Sequence, residues 1–147
     1  MTTMLGPGEG RQLRTASQTV IKMEANEDWS FAASEAVLEA GFVGPPHHLH
    51  RMFEEGWYVL EGSIEFEVGG RRGWYAAGSF VFAPRGVRHR VWGPGPAEPA
   101  KLLCVCSPGL MQSMEESADL LAARPYDPDA LARSLEKYET EFFVQDT

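Results

Sequence analysis

At 147 residues, 44% hydrophobic and 23% charged, the chain is long enough for one domain with a real core and too short for two ordinary ones, and its balance excludes a disordered protein. A formal net charge of −8 with a pI near 5.0 repels a phosphate backbone and an anionic bilayer, so neither nucleic acid nor a membrane is an expected partner. No apolar run approaches the roughly 20 residues that span a bilayer, and the stretch from Met1 to Gly8 has no basic segment leading into an apolar one, so a cytoplasmic protein without a signal peptide is expected.

Glycine and proline contribute 15 and 10 residues, above the roughly 12% of average usage, which predicts many turns and short strands. Residues 1–18 form an expected flexible N-terminal segment, Gly/Pro-rich at its start. Short strands separated by turn signals are then predicted over Thr19–Ala25, Ser30–Leu38, Gly56–Leu60, Ser63–Val68, Arg71–Tyr75, Ser79–Ala83, Arg88–Trp92 and Lys101–Cys106. The clearest alternation is Ile64-Glu65-Phe66-Glu67-Val68, apolar on one face and acidic on the other. Val68-Gly69-Gly70-Arg71 reads as a hairpin turn in which the glycines supply positive φ. So many short strands suggest a sandwich or barrel over residues 19–107.

Residues 108–147 read as a helical extension of the same domain. Leu110, Met111, Met114, Ala118 and Leu121 recur at helical spacing, predicting a helix over Leu110–Ala123. Asp127-Pro128 opens a second helix, with Asp127 as N-cap and Pro128 at the first helical position. Leu131, Leu135, Tyr138 and Phe142 form its apolar stripe. Such a stripe is packing surface far more often than a cofactor site, so both helices are expected to flank or cover the β core. Cys104 and Cys106, two apart in a strand, share one face and read as small buried hydrophobes.

All four histidines are His47, His48, His50 and His89. Three follow Gly44-Pro45-Pro46, which forces extended or turning backbone. In extended chain His48 and His50 project to one face and can reach a common metal ion. Glu55 opens the strand that follows, and His89 opens another after the turn Pro84-Arg85-Gly86. Three imidazoles and a carboxylate suit a first-row divalent metal and leave about two octahedral positions free. A His-x-His pair with a nearby glutamate also arises by chance, and a single distant histidine is commonly a core or surface residue. The residues by themselves leave both readings open.

The segment Gly44-Pro-Pro-His-His48-Leu-His50-Arg-Met-Phe-Glu-Glu55-Gly-Trp-Tyr-Val-Leu-Glu-Gly62 resembles the first cupin motif: His-x-His, four residues, then Glu-x-x-x-Val-Leu-Glu-Gly. Gly78-Ser-Phe-Val-Phe-Ala-Pro84-Arg-Gly86-Val-Arg-His89 resembles the second, Gly-x5-Pro-x-Gly-x-x-His. The 15 residues between Gly62 and Gly78 match the spacer of compact bacterial cupins. The tail, with Ser107-Pro108-Gly109, Asp127-Pro-Asp-Ala-Leu131 and Lys137-Tyr-Glu-Thr-Glu-Phe142, is similar to that of small quercetinase-like monocupins.

The resemblance spans roughly residues 19–145. It implies an all-β fold, a cupin jelly-roll β-barrel with C-terminal α-helices, holding one divalent transition metal ion (Fe, Mn, Ni, Co, Cu or Zn) in one open mouth. Carried over residue by residue, it makes His48, His50, Glu55 and His89 the ligands. Glu54 competes with Glu55, but the register to Gly62 and strand parity favour Glu55. Gly93 stands where the second motif often closes with Asn, and His47 is an extra histidine whose parity points it away from the ligand pair.

Met52, Phe53, Trp57 and one of Phe80 or Phe82 are candidate apolar pocket walls, each of which serves equally as barrel core. Arg85, near the mouth, is the arginine best placed to meet an anionic group. Arg88 and Arg90, opposite in parity to His89, are expected to face solvent. The function expected from the resemblance is a metal-dependent enzyme acting on a small aromatic, enol or polyketide-like molecule. A quercetinase-like dioxygenase leads, with Glu55 as a catalytic ligand or base. The alternatives are a non-redox isomerase, cyclase or lyase, or a non-enzymatic binding cupin. A homodimer is also expected, from family habit and because a strand at Thr19–Ala25 would otherwise leave an open sheet edge.

Overall fold

The structure, a computed structural model, describes residues 3–143. Eleven strands form two antiparallel sheets. The first sheet runs β1 (Arg11–Arg14), β2 (Gln18–Met23), β3 (Ala32–Leu38), β10 (Ala100–Cys106), β5 (Glu55–Glu61), β8 (Phe80–Ala83). The second runs β11 (Thr140–Phe142), β4 (His48–His50), β9 (His89–Gly93), β6 (Ser63–Val68), β7 (Arg71–Ala76). Helices α1 (Pro108–Glu116), α2 (Ala118–Ala122) and α3 (Pro128–Leu135) follow the last strand of the first sheet. The two sheets face each other as a jelly-roll barrel, with the helices over part of its interior.

Period-two alternation decides which side chains fill that interior. Along β6, Ile64 and Phe66 are buried while Glu65 and Glu67 lie on the other face. Along β3 and β10, Ala32, Ser34, Ala36 and Leu38 pair with inward Cys106, Cys104, Leu102 and Ala100. Trp57 on β5 bridges the sheets, its ring 5.5 Å from Phe66 and 5.7 Å from His89. The predicted glycine hairpin forms: Val68 pairs with Arg71, and Gly69 and Gly70 have φ of 59° and 82°.

All eight predicted strands form, with ends shifted by no more than two residues. Three further strands correct the expected organisation. β1 lies inside the segment read as flexible, and it pairs with β2 from Arg11↔Ile21 to Arg14↔Gln18. β2 is therefore not a sheet edge, and β1 takes that place. The expected helix over Leu110–Ala123 is two helices that meet at Ser117, whose hydroxyl bonds Ser134 Oγ at 2.7 Å. Asp127 caps α3 as predicted, accepting from Ala130 N at 3.0 Å. The apolar stripe does not continue to Phe142. A 3₁₀ turn over Glu136–Tyr138 ends in left-handed Glu139 (φ 55°), and the chain re-enters the second sheet as β11.

Gly93 has a physical reason to be glycine. Its φ is 115°, and a Cβ there would lie 2.0 Å from the Phe42 carbonyl oxygen. Gly93→Ala is expected to lose roughly 2–4 kcal/mol, adding strained φ to an overpacked contact. A denaturant midpoint unchanged from that of the parent would contradict this reading.

Candidate metal centre

The chain between Gly44 and Glu55 bends at residues 45–47 and 51–52 and is extended over His48–His50, where backbone bonds hold it on both sides. Gly44 N donates to Val91 O at 2.9 Å, and Phe143 N donates to His47 O at 2.7 Å. On β4, His48 and His50 therefore point to the interior while Leu49 faces the opposite way. His48 pairs across the sheet with His89 on β9. The three imidazoles converge, with one ligand atom from each within 4.8 Å of the others.

Each imidazole is held by its Nδ1. His48 Nδ1–H donates to Pro46 O at 2.8 Å, His89 Nδ1–H to Val87 O at 2.9 Å, and His50 Nδ1 bonds Thr140 Oγ1 at 2.8 Å. In neutral His48 and His89 the carbonyl acceptors put the proton on Nδ1 and leave Nε2 as a lone pair, the tautomer that metal ligation requires. The Thr140 hydroxyl can accept from His50 Nδ1–H in the same way. His89 Nε2 is buried without a hydrogen-bond partner. From β5 of the facing sheet Glu55 enters, with Oε2 3.6 Å from His50 Nε2 and Oε1 3.4 Å from His89 Nε2. An orphaned buried imidazole nitrogen beside two more and a carboxylate is a donor set that fits a divalent first-row metal.

The electrostatics agree. Burial, together with the fields of His89 and His50, pushes His48 well below the ordinary histidine range, and burial brings His50 to about 4. Burial opposes ionisation of Glu55, but His89 and His50 outweigh it and hold its carboxyl below the usual range. His89 is raised: burial alone would lower it, but the Glu55 carboxylate and the Val87 carbonyl favour its protonated form.

A family model for the cupin domain matches residues 34–106, the stretch that carries His48, His50, Glu55 and His89. The chain belongs to the cupin superfamily. Solved cupin structures share its fold. KdgF from Halomonas sp. superposes with TM-score 0.62 at 20% identity, covering 74% of this chain and 94% of its own. The polyketide cyclase RemF from Streptomyces resistomycificus gives 0.61 at 21%, covering 74% and 80%. An RmlC-like cupin from Shewanella frigidimarina gives 0.60 at 20%, covering 74% and 92%. No curated protein matches the chain.

The cupin barrel places the remaining sequence candidates. Glu54 lies on the outside, paired with Arg85, so Arg85 is engaged at the surface and Glu55 is the carboxylate that faces the histidines. His47 points away from them, as its parity predicts, and its Nε2 lies 2.6 Å from Glu67 Oε2. Trp57 is buried and lines the cavity beside the histidines, whereas Phe53 is buried in the core without lining it. Met52, Phe80 and Phe82 are exposed at 43, 60 and 49%, so only Trp57 is a pocket wall. Phe80 and Phe82 occupy outward positions on edge strand β8, where parity to Val81 and Ala83 leaves them in solvent. Arg90 corrects a further expectation: it is only 6% exposed, stacks 4.1 Å from the Trp92 ring and donates to Gly44 O. It does face outward from the barrel, but the chain around Gly44 covers it.

The histidines and Glu55 open onto a cavity of about 160 Å³. The far walls come from Leu13 and Ile21 of the first hairpin, Leu102 and Cys104 of β10, Met111 of α1 and Leu135 of α3. Among the described residues, no lysine or arginine lines the cavity, and Glu55 is its sole carboxylate. Sequence reasoning did not place Leu13, Met111 or Phe142 at this site. Met111 and Phe142 were visible only as members of apolar stripes, and Leu13 lay in the segment read as flexible.

Proposed function

We propose that this cupin is a metal-dependent enzyme acting on a small, uncharged and largely apolar molecule that bears an enol or phenol oxygen. The observation that carries the reading is the position of the three imidazoles and Glu55 at one end of a cavity whose other walls are mostly aliphatic and aromatic, with the hydroxyls of Thr15, Ser17, Thr19, Ser34 and Ser113 as uncharged polar groups. A cavity of about 160 Å³ is close in size to one that accepts a single aromatic ring. The absence of lysine or arginine from its described walls disfavours an anionic sugar or phosphate ester, whose burial would leave charge uncompensated.

His48, His50, His89 and Glu55 would hold the ion, which supplies a Lewis-acid or redox centre for the substrate oxygen. Glu55 Oε2 is ionised at neutral pH and accepts the substrate's O–H proton, leaving an enolate or phenolate at the histidine end. Trp57, Leu102 and Met111 exclude water and orient the ring. Dioxygenation of quercetinase type is the leading reaction, since an electron-rich enolate is the species that reacts with dioxygen. A non-redox cyclisation or dehydration is the second reading, supported by the same donor set and by fold relatives that include a polyketide cyclase and the nucleoside dehydratase Pac13.

The test is a panel of flavonols and simpler enols presented to metal-loaded protein, in air and under strict anaerobiosis. Oxygen uptake that requires both metal and substrate supports the dioxygenase, and anaerobic turnover supports the second reading. Tight binding across the panel with no turnover in either atmosphere would overturn enzymatic function in favour of a binding cupin.

A further inference from the structure

We infer that the C-terminal strand β11 is a working part of the metal centre, and that Thr140 is the positioning residue that orients His50 and accepts its Nδ1–H when Nε2 serves as the ligand. The inference rests on the metal reading above.

The match to the cupin domain ends at residue 106, far before β11. After the helices the chain returns and lies antiparallel along β4, with Thr140 opposite His50 and Phe142 opposite His48. Residues directly opposite on paired strands share a face, so both C-terminal side chains are delivered to the histidines. Thr140 is buried at 6% exposure, and its Oγ1 lies 2.8 Å from His50 Nδ1. Among the described residues that hydroxyl has no other side-chain partner. Phe142 packs beside the His48 ring at 5.3 Å between centroids.

The difference between the histidines gives this contact its weight. His48 and His89 are oriented by carbonyls two residues away in their own segments, Pro46 O and Val87 O. His50 has no such local acceptor and takes its partner from a residue 90 positions away. The strand is fastened independently of the site: Arg51 pairs with Glu141 at 2.7 Å, and Arg51 N donates to Glu139 O at 3.2 Å. Leu135 of α3 and Phe142 of β11 also line the cavity, so a single C-terminal unit both covers the substrate space and aligns a ligand.

The test uses full-length Thr140→Val and Thr140→Ser proteins and Co²⁺ as the probe. Affinity is read by competition with a chelator of known strength, and ligand geometry by the visible absorption of bound Co²⁺. Thr140→Val, nearly the same in shape, leaves His50 Nδ1–H without an acceptor and is expected to weaken Co²⁺ binding by about 10–100-fold and to change the spectrum. Thr140→Ser restores the hydroxyl and is expected to bind within a few-fold of the parent. Thermal unfolding of the metal-free proteins shows whether the strand stays docked. Parental protein that binds no Co²⁺ would overturn the metal centre, and this inference with it. Parental binding with Thr140→Val unchanged, or Thr140→Ser as weak as Thr140→Val, would overturn the role of Thr140 alone.

Discussion

Substitution of His89 is expected to strip the protein of bound metal. His89 is 2% exposed, its Nδ1 is anchored on Val87 O, and its Nε2 has no protein hydrogen-bond partner. Partners that merely orient a ligand cost 10–100-fold in affinity when removed, so losing a ligand outright should exceed 100-fold. His89→Gln keeps most of the side-chain volume in place of the imidazole. It should take metal content, measured by elemental analysis after reconstitution, from near one equivalent to background. His50→Ala/His89→Ala should do the same and also abolish any metal-dependent turnover. The variants' unfolding curves control for the cavity left in the core. Retention of a full equivalent by the double variant would place the metal elsewhere on the chain.

Metal affinity is also expected to rise with pH in a defined way. In the metal-free protein His89 is raised by Glu55, whereas His48 is held well below its ordinary value and His50 lies near 4. In weakly acidic solution, therefore, His89 carries the one proton that an incoming ion must displace. Below the raised value of His89, affinity should climb about tenfold per pH unit, because one proton leaves per ion bound. Above it the dependence should flatten. Below about pH 5 it should steepen again as His50 begins to compete. Chelator competition from pH 5 to 8, paired with proton release measured by calorimetry in two buffers, reads both slope and stoichiometry. Affinity that does not change across this range would show that His89 is neutral in the metal-free protein.

The strands and the His48–His50 pair were legible in the residues because both depend on short-range order, whereas the barrel and the joining of His89 and Glu55 to that pair were legible through the resemblance to the cupin motifs. Alternation in β6 and β10, the Gly69-Gly70 turn and the parity of His48 with His50 are consequences of a two-residue repeat, and each holds in the structure. The choice of Glu55 over Glu54 followed from the motif register to Gly62 together with the same parity, and the structure puts the two on opposite sides of the wall.

What local pattern did not contain was decided by contacts between distant segments. Phe80 and Phe82 are hydrophobic and adjacent to a motif, but facing direction relative to Val81 and Ala83 leaves them in solvent. Arg90 points out of the barrel as parity requires, yet loop packing at Gly44 removes it from water. The C-terminal segment is the largest such case. A stripe at spacings of four, three and four can extend a helix on paper, but the left-handed turn at Glu139 and the free edge of β4 make Thr140–Phe142 a strand instead. By itself, then, the sequence determined short alternating strands and the shared face of His48 and His50, because side-chain parity is a property of neighbouring residues. The cupin barrel and the addition of Glu55 and His89 came from resemblance to the two cupin motifs. Only the tertiary structure decided that a largely apolar cavity, without lysine or arginine among its described walls, adjoins these side chains and that Thr140 holds His50, because burial and cross-strand pairing join residues that have no relation along the chain.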